Sequence, residues 1–327
     1  MSGMRRILER AGELRASGVD AVLATVVEVT GSAYRREGAR MLIEADGTLT
    51  GILSGGCLEN DLAERAADVR TTGLPALATY DLRSPDEVLW GLGLGCGGKV
   101  TVLLERLDAA ADRTSPLAPF ERLEKDRQAI DVSTEFAGQV ILHERLLPPI
   151  ALVIAGAGRD VVPVARLARE LAWDTVVLDA RPTAAGRARF EGLARHLAIS
   201  PRDVAQSVRI DPFTAVLLMT HNYLDDLDWL AALLPTAAPY LGLLGPATRR
   251  DRLVADLAQQ GLALDGPMQS RLHGPAGLDL GGRAPEQVAL AIVAEIQCAM
   301  SGASGDPLSQ AAVSATVAAD SFSASRH

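Results

Sequence analysis

The chain has 327 residues, 48% of them hydrophobic and 22% charged, with aromatics at only 4%. That length exceeds what one core usually serves, so two domains with aliphatic cores are expected. Lys and Arg number 32 against 41 Asp and Glu, a net charge of −9, which excludes the basic footprint that non-specific nucleic-acid binding requires.

Met1-Ser2-Gly3-Met4-Arg5-Arg6 contains no apolar signal core, and no apolar run approaches the roughly 18 residues of a spanning helix. Neither a leader nor a membrane partner is expected. Three scattered cysteines suit a reducing cytoplasm better than a disulfide scaffold.

Ile7, Leu8, Ala11 and Leu14 recur at helical spacing over residues 4–17, with Gly18 as the stop. A β-rich run over 21–29 breaks at Thr30-Gly31-Ser32, and a basic turn from Tyr34 to Arg40 leads into a strand at 41–43. Asp46-Gly47 is a hairpin signal between that strand and Thr48–Leu53. After Ser54-Gly55-Gly56-Cys57, Leu58, Leu62, Ala63 and Ala66 predict a helix ending near Gly73. Two further strands are predicted at 77–82 and 99–105, the second preceded by Gly93-Leu94-Gly95-Cys96-Gly97-Gly98. Residues 1–105 thus read as a small α/β N-terminal domain.

Residues 106–149 read as a connector, with a helix at 117–128, a short strand within 134–146 and a boundary at Pro148-Pro149. From Ile150 the pattern changes to buried strands at 150–155, 175–178, 215–219 and 240–244, alternating with helices at 161–171, 225–234, 247–260 and 285–300. That alternation predicts a Rossmann-like doubly wound parallel sheet over 150–300. Residues 301–327 are small and polar and read as a disordered tail.

Cys57 is placed just before a helix, where unpaired N–H groups and the dipole favour a thiolate. Gly55 and Gly56 before it let a ligand approach the backbone. Glu59 and Asp61 would oppose a thiolate if they turned inward. The alternative is a small buried cysteine at a tight packing point. Cys96 repeats the Gly-framed pattern; if both belong to one site, their Cα atoms lie within about 7 Å of each other where a disulfide can form. A tetrahedral zinc site lacks a Cys-x-x-Cys pair and clustered histidines. Cys298, among Ile292, Val293 and Ile296, reads as core. Arg35, Arg36 and Arg40 offer guanidinium forks suited to phosphate.

A strand, Gly156-Ala157-Gly158, a helix and Asp179 at the end of the next strand begin a dinucleotide fingerprint, with Asp179 placed for a ribose hydroxyl. Val161 stands where the third glycine belongs, and Asp160 adds negative charge where a pyrophosphate would sit. His221 follows the strand at 215–219, at the ligand-binding end of such sheets.

On these residues the chain resembles the XdhC/CoxI family, accessory proteins for molybdenum hydroxylases. The resemblance is carried by Ser54-Gly55-Gly56-Cys57-Leu58-Glu59, Gly93–Gly98, the Gly156 turn, Met219-Thr220-His221 and His273–Gly281. It implies an accessory or maturation factor rather than a turnover enzyme. Such a factor binds the molybdenum cofactor (molybdopterin), supports its sulfuration by a cysteine desulfurase, and delivers it to an apo-hydroxylase such as xanthine dehydrogenase. In that reading Cys57 contacts the molybdenum or a sulfur under transfer, Cys96 is its neighbour, and the Arg35–Arg40 turn receives the pterin phosphate. The family's second domain usually reads Gly-x-Gly-His-x-Gly; here Arg159 and Val161 replace the histidine and the last glycine, and Asn222 replaces an acidic residue. The rival expectation is an NAD(P)-dependent oxidoreductase using Gly156, Gly158 and Asp179. A homodimer would let a thiol domain and a nucleotide fold share one cleft across chains.

Overall fold

The computed structural model describes residues 2–81, 98–109 and 115–309. It divides into two compact units, Met1–Pro149 and Ile150–His327.

In the first unit, helix α1 (Ser2–Ala16) is followed by strands β1 (Ala21–Thr30), β2 (Arg40–Ile43) and β3 (Leu49–Gly51). Helix α2 (Glu59–Thr72) then leads to β4 (Ala76–Asp81) and β5 (Lys99–Leu107). The five strands form one antiparallel sheet in the order β3-β2-β1-β5-β4. The run Ala21–Val27 is buried throughout because β1 is central and covered on both faces. Val22, Ala24 and Val26 pack with Leu62, Ala66 and Val69 of α2. Ala21 and Leu23 face Ile7, Ala11 and Leu14 of α1, as the two-residue period of a strand requires. Asp46-Gly47 turns the β2–β3 hairpin: Gly47 has φ 87° and the Thr48 N–H donates to Asp46 Oδ1 at 2.9 Å.

Residues 106–149, expected as a connector, fold as part of this unit. They finish β5 and carry helix α3 (Ala118–Asp126) and a two-stranded hairpin of β6 (Ile130–Phe136) and β7 (Gln139–Leu146). Phe120 and Leu123 of α3 complete the core above α1.

The second unit begins with β8 (Ala151–Ala155), α4 (Val161–Glu170) and β9 (Asp174–Leu178). Next come α5 (Ala184–Phe190), β10 (Arg195–Leu197), the short α6 (Val204–Ser207), β11 (Thr214–Leu218) and α7 (Tyr223–Leu233). Strand β12 (Tyr240–Leu243), α8 (Ala247–Gln259), α9 (Gly266–Ser270), β13 (Leu272–His273) and α10 (Pro285–Ser301) complete it. The sheet is parallel, ordered β10-β9-β8-β11-β12-β13. In the unit's own strand count that is 3-2-1-4-5-6, the doubly wound dinucleotide-fold order. Strands β8, β9 and β11 are buried on both faces: Val153, Val176 and Val216 meet α7 and α8, while Leu152, Ile154 and Leu217 meet α4 and α10. The composition predicts disorder from 301 onward. Residues 301–309 are exposed, and Gly305 lies beside the end of α10, where a Cβ would touch Cys298 Sγ at 3.3 Å and Leu278 at 3.4 Å. The rest of the expected tail, 310–327, lies outside the described residues.

No helix among the described residues is long and apolar enough to cross a membrane.

Candidate functional site

Strand register gathers the motifs of the first unit at one end of the antiparallel sheet. Thr30, the last residue of β1, is opposite Lys99 at the start of β5, and Lys99 is opposite Asp81 at the end of β4. Met41, near the start of β2, is opposite Gly51 at the end of β3. The 31–39 loop, the 52–58 loop and Gly98 therefore all leave the sheet at the same end. Gly98 lies so close to the Thr30–Ser32 turn that a Cβ there would come within 2.7 Å of Thr30 O and 2.5 Å of Ser32 O. Cys96, together with its pairing to Cys57, lies outside the described residues.

The Cys57 loop is organised by two side chains. Ser54 Oγ accepts from the N–H groups of Gly56 (3.2 Å), Cys57 (3.1 Å) and Leu58 (3.2 Å), and donates to Glu59. The Glu59 carboxylate also accepts from Ser54 N and Leu58 N, each at 3.0 Å. The donors expected to stand unpaired beside the thiol are thus taken up within the loop. Glu59 turns back into the loop, and Asp61 turns away to Arg65 and Tyr80, each at 2.6 Å. Burial pushes the Asp61 carboxyl up, but those two bonds outweigh it and hold it below its usual value. Burial and then Asp61 drive the Tyr80 phenol well above its ordinary range.

This clasp leaves the loop backbone open. Gly56 needs its glycine for φ 107°, but Gly55 does not have a positive φ, and a Cβ at either would meet nothing within 4 Å. Packing gives no reason for a glycine at 55, and its main chain is left exposed. Cys57 is a half-buried free thiol packed against the β1–α2 core.

The basic turn divides. Arg35 and Arg36 are exposed at the same end of the sheet. Arg40 is not available for a phosphate: it is buried, forks onto Glu144 of β7, donates to Gly38 O at 2.7 Å and lies 4.5 Å above the Phe120 ring. A thiol, open backbone and two exposed guanidinium groups form a donor set that fits a cargo with a sulfur-rich metal centre and a phosphate. Among the described residues no group of three His, Cys, Asp or Glu side chains could hold a metal ion by itself.

In the second unit the sequence motifs meet at the switch point between β8 and β11. Gly156, with φ 115°, lies against the Met219 carbonyl just beyond β11, and no side chain fits between them. Asp179 caps β9; its Oδ1 accepts from Arg181 N at 2.9 Å, and its Oδ2 lies 3.4 Å from His196 Nε2. His221, with φ 60°, points its Nε2 at Asp160 Oδ2, 2.8 Å away. Asp160 Oδ1 in turn lies over Gly158, in the space a Cβ would need. Arg189 donates to Ala157 O at 2.5 Å. Beneath this, the buried Asp226 carboxylate takes Arg249 at 2.6 Å and Thr220 Oγ1 at 2.5 Å. His221 is legible from its place at a strand end; its partner Asp160 is not, because only the strand order joins the two. Glu59 is likewise hidden as a loop clasp, since its five-residue reach to Ser54 is longer than a capping-box spacing.

Comparison with known proteins agrees over nearly the whole chain. The XdhC and CoxI family matches residues 14–81, and the XdhC Rossmann domain matches residues 152–296. A Bacillus subtilis protein, named as a probable subunit of xanthine dehydrogenase, is 30% identical over 313 residues, 85% of this chain and 92% of that one. An Escherichia coli protein named molybdenum cofactor insertion chaperone PaoD is 29% identical over 303 residues, 89% of this chain and 87% of that one. A Bacillus halodurans crystal structure described as a xanthine dehydrogenase superposes with TM-score 0.74 at 30% identity, covering 92% of this chain and 96% of that one. The matches reach both units, and the chain belongs to the XdhC and CoxI family.

Proposed function

We propose that this protein is a molybdenum-cofactor chaperone: it holds the cofactor at the Cys57 end of the antiparallel sheet, supports its sulfuration by a cysteine desulfurase, and hands it to an apo-hydroxylase such as xanthine dehydrogenase. The observation that carries the reading is the Ser54–Glu59 clasp, which presents a half-buried thiol beside bare backbone at Gly55 and Gly56. A cargo must be held firmly yet released whole, so a thiol and exposed guanidinium groups suit it better than a closed cage of ligands. Cys57 supplies the soft contact for molybdenum or its sulfur, Cys96 is the candidate second thiol, and Arg35 with Arg36 receives the phosphate. Ser54 and Glu59 hold the loop open, with Ser54 at its base as a further candidate contact for the cargo. The names of the Bacillus subtilis and Escherichia coli relatives support the same role. The test is transfer: protein preloaded with the cofactor should activate a molybdenum hydroxylase apoenzyme faster than an equal amount of free cofactor. Equal rates with and without the protein contradict a carrier role.

A further inference from the structure

We infer that the phosphate position of the second unit's Rossmann crevice is taken by the chain's own anion: the Asp160 carboxylate, bridged to His221, occupies the place of a dinucleotide pyrophosphate and keeps phosphorylated nucleotides out. This inference concerns the second unit alone and does not rest on the Cys57 reading.

Three independent features meet there. The strand order 3-2-1-4-5-6 fixes the switch point between β8 and β11, so the Gly156 turn and the Thr220–His221 turn line one crevice. In such a crevice the phosphates approach the backbone of the Gly-x-Gly turn and the N-terminus of the following helix. Here the Asp160 carboxylate covers Gly158, the glycine whose bare Cα would let a phosphate come close, immediately before the helix starting at Val161. His221 holds it from the turn after β11 at 2.8 Å, in a left-handed backbone conformation uncommon outside glycine. The turn that would welcome a phosphate already carries a carboxylate of the chain itself.

Two nearby cations are already engaged. Arg189, a cation that could serve an anion, is spent on the Ala157 carbonyl at 2.5 Å. Arg181, at the mouth beside Asp179, is paired with Asp225. Val161, in the position of the third glycine, is fully buried against β8 and α10, so the helix has no need of a ligand to seat it. A pyrophosphate would have to expel a paired carboxylate or sit against it, and like charges in contact oppose binding strongly.

Calorimetry on the full chain with ADP and NADH as probes tests this. The wild type should give no saturable heat up to about 5 mM ligand, whereas Asp160→Gly should bind at least about tenfold tighter than that limit. Asp160→Asn keeps the shape, removes the charge, and carries the same test if the glycine variant does not fold; it too should gain binding. His221→Ala removes a partner but keeps the negative charge at the turn, and should gain nothing. Saturable wild-type binding of either probe within that range of about 5 mM overturns the inference. So does an Asp160→Asn chain that melts like the wild type and stays silent to both probes.

Discussion

The two units bring glycine-framed turns to the end of a sheet in opposite ways. At the Cys57 turn, internal hydrogen bonds consume the loop's own donors, and the outer face of Gly55 and Gly56 stays bare. At the Gly156 turn, the glycines are covered, one by the Met219 carbonyl and the other by Asp160. The fold class would suggest the reverse, because the parallel sheet has the architecture that elsewhere binds nucleotides. Function therefore follows from what each turn leaves exposed rather than from the architecture beneath it.

Each unit also has a buried ion pair that supports its turn region, and breaking these pairs should produce the largest effects. Arg40→Ala leaves Glu144 without its fork and should destabilise the first unit by about 3 kcal/mol in denaturant melts. Arg35→Ala, at the same loop, should change stability by less than about 0.5 kcal/mol while weakening retention of a phosphate-bearing cargo. A similar loss from both would erase the distinction between structural and exposed arginines. In the second unit, Arg249→Ala strands the Asp226 carboxylate and should likewise cost about 3 kcal/mol.

Loss of the clasp should come next. Ser54→Ala removes the acceptor for three N–H groups and should cost about 1–2 kcal/mol, in the range of a lost helix cap. Because the loop then closes or wanders, cargo retention should fall more than stability does; an unchanged retention would detach the clasp from the site.

The smallest effect is on acid stability of the second unit. Burial pushes the Glu295 carboxyl up, but His273, Tyr240 and the Gly277 N–H bind its charged form and hold it below its usual value. A folded value below the unfolded one means that this contribution is complete above about pH 4.3 and drains away as pH falls toward the lower folded value. Melts of His273→Asn should lose part of that acid-side dependence, and an unaltered profile would show that the network does not matter.

Much of the fold is legible in the sequence because it depends on local pattern. Asp46-Gly47 announces its hairpin, the apolar run of β1 announces a buried strand, and Gly73 ends α2 with φ 72° as a helix stop should. What stays hidden depends on distant partners or on unusual turn chemistry. The β6–β7 hairpin turns through Ala137 and Gly138, with φ of 50° and 77°; an alanine in the left-handed region gives no turn signal, so the stretch reads as connector. The three-residue β10 and two-residue β13 are too short to show a period. Arg40 reads as part of a basic turn because nothing near it in sequence reveals Glu144. The turn around Cys57 is visible as a candidate site, but its clasp is not, since Glu59 looks like an ordinary first-turn acid.

The most direct test of the central claim is metal and pterin analysis of the purified full chain beside Cys57→Ala, with melting curves confirming that both are folded. The account predicts molybdenum and pterin bound to the wild type, or taken up on addition, and lost from the variant. Equal loading of the two proteins would contradict the role assigned to Cys57, and a wild type that takes up neither would contradict the chaperone reading itself.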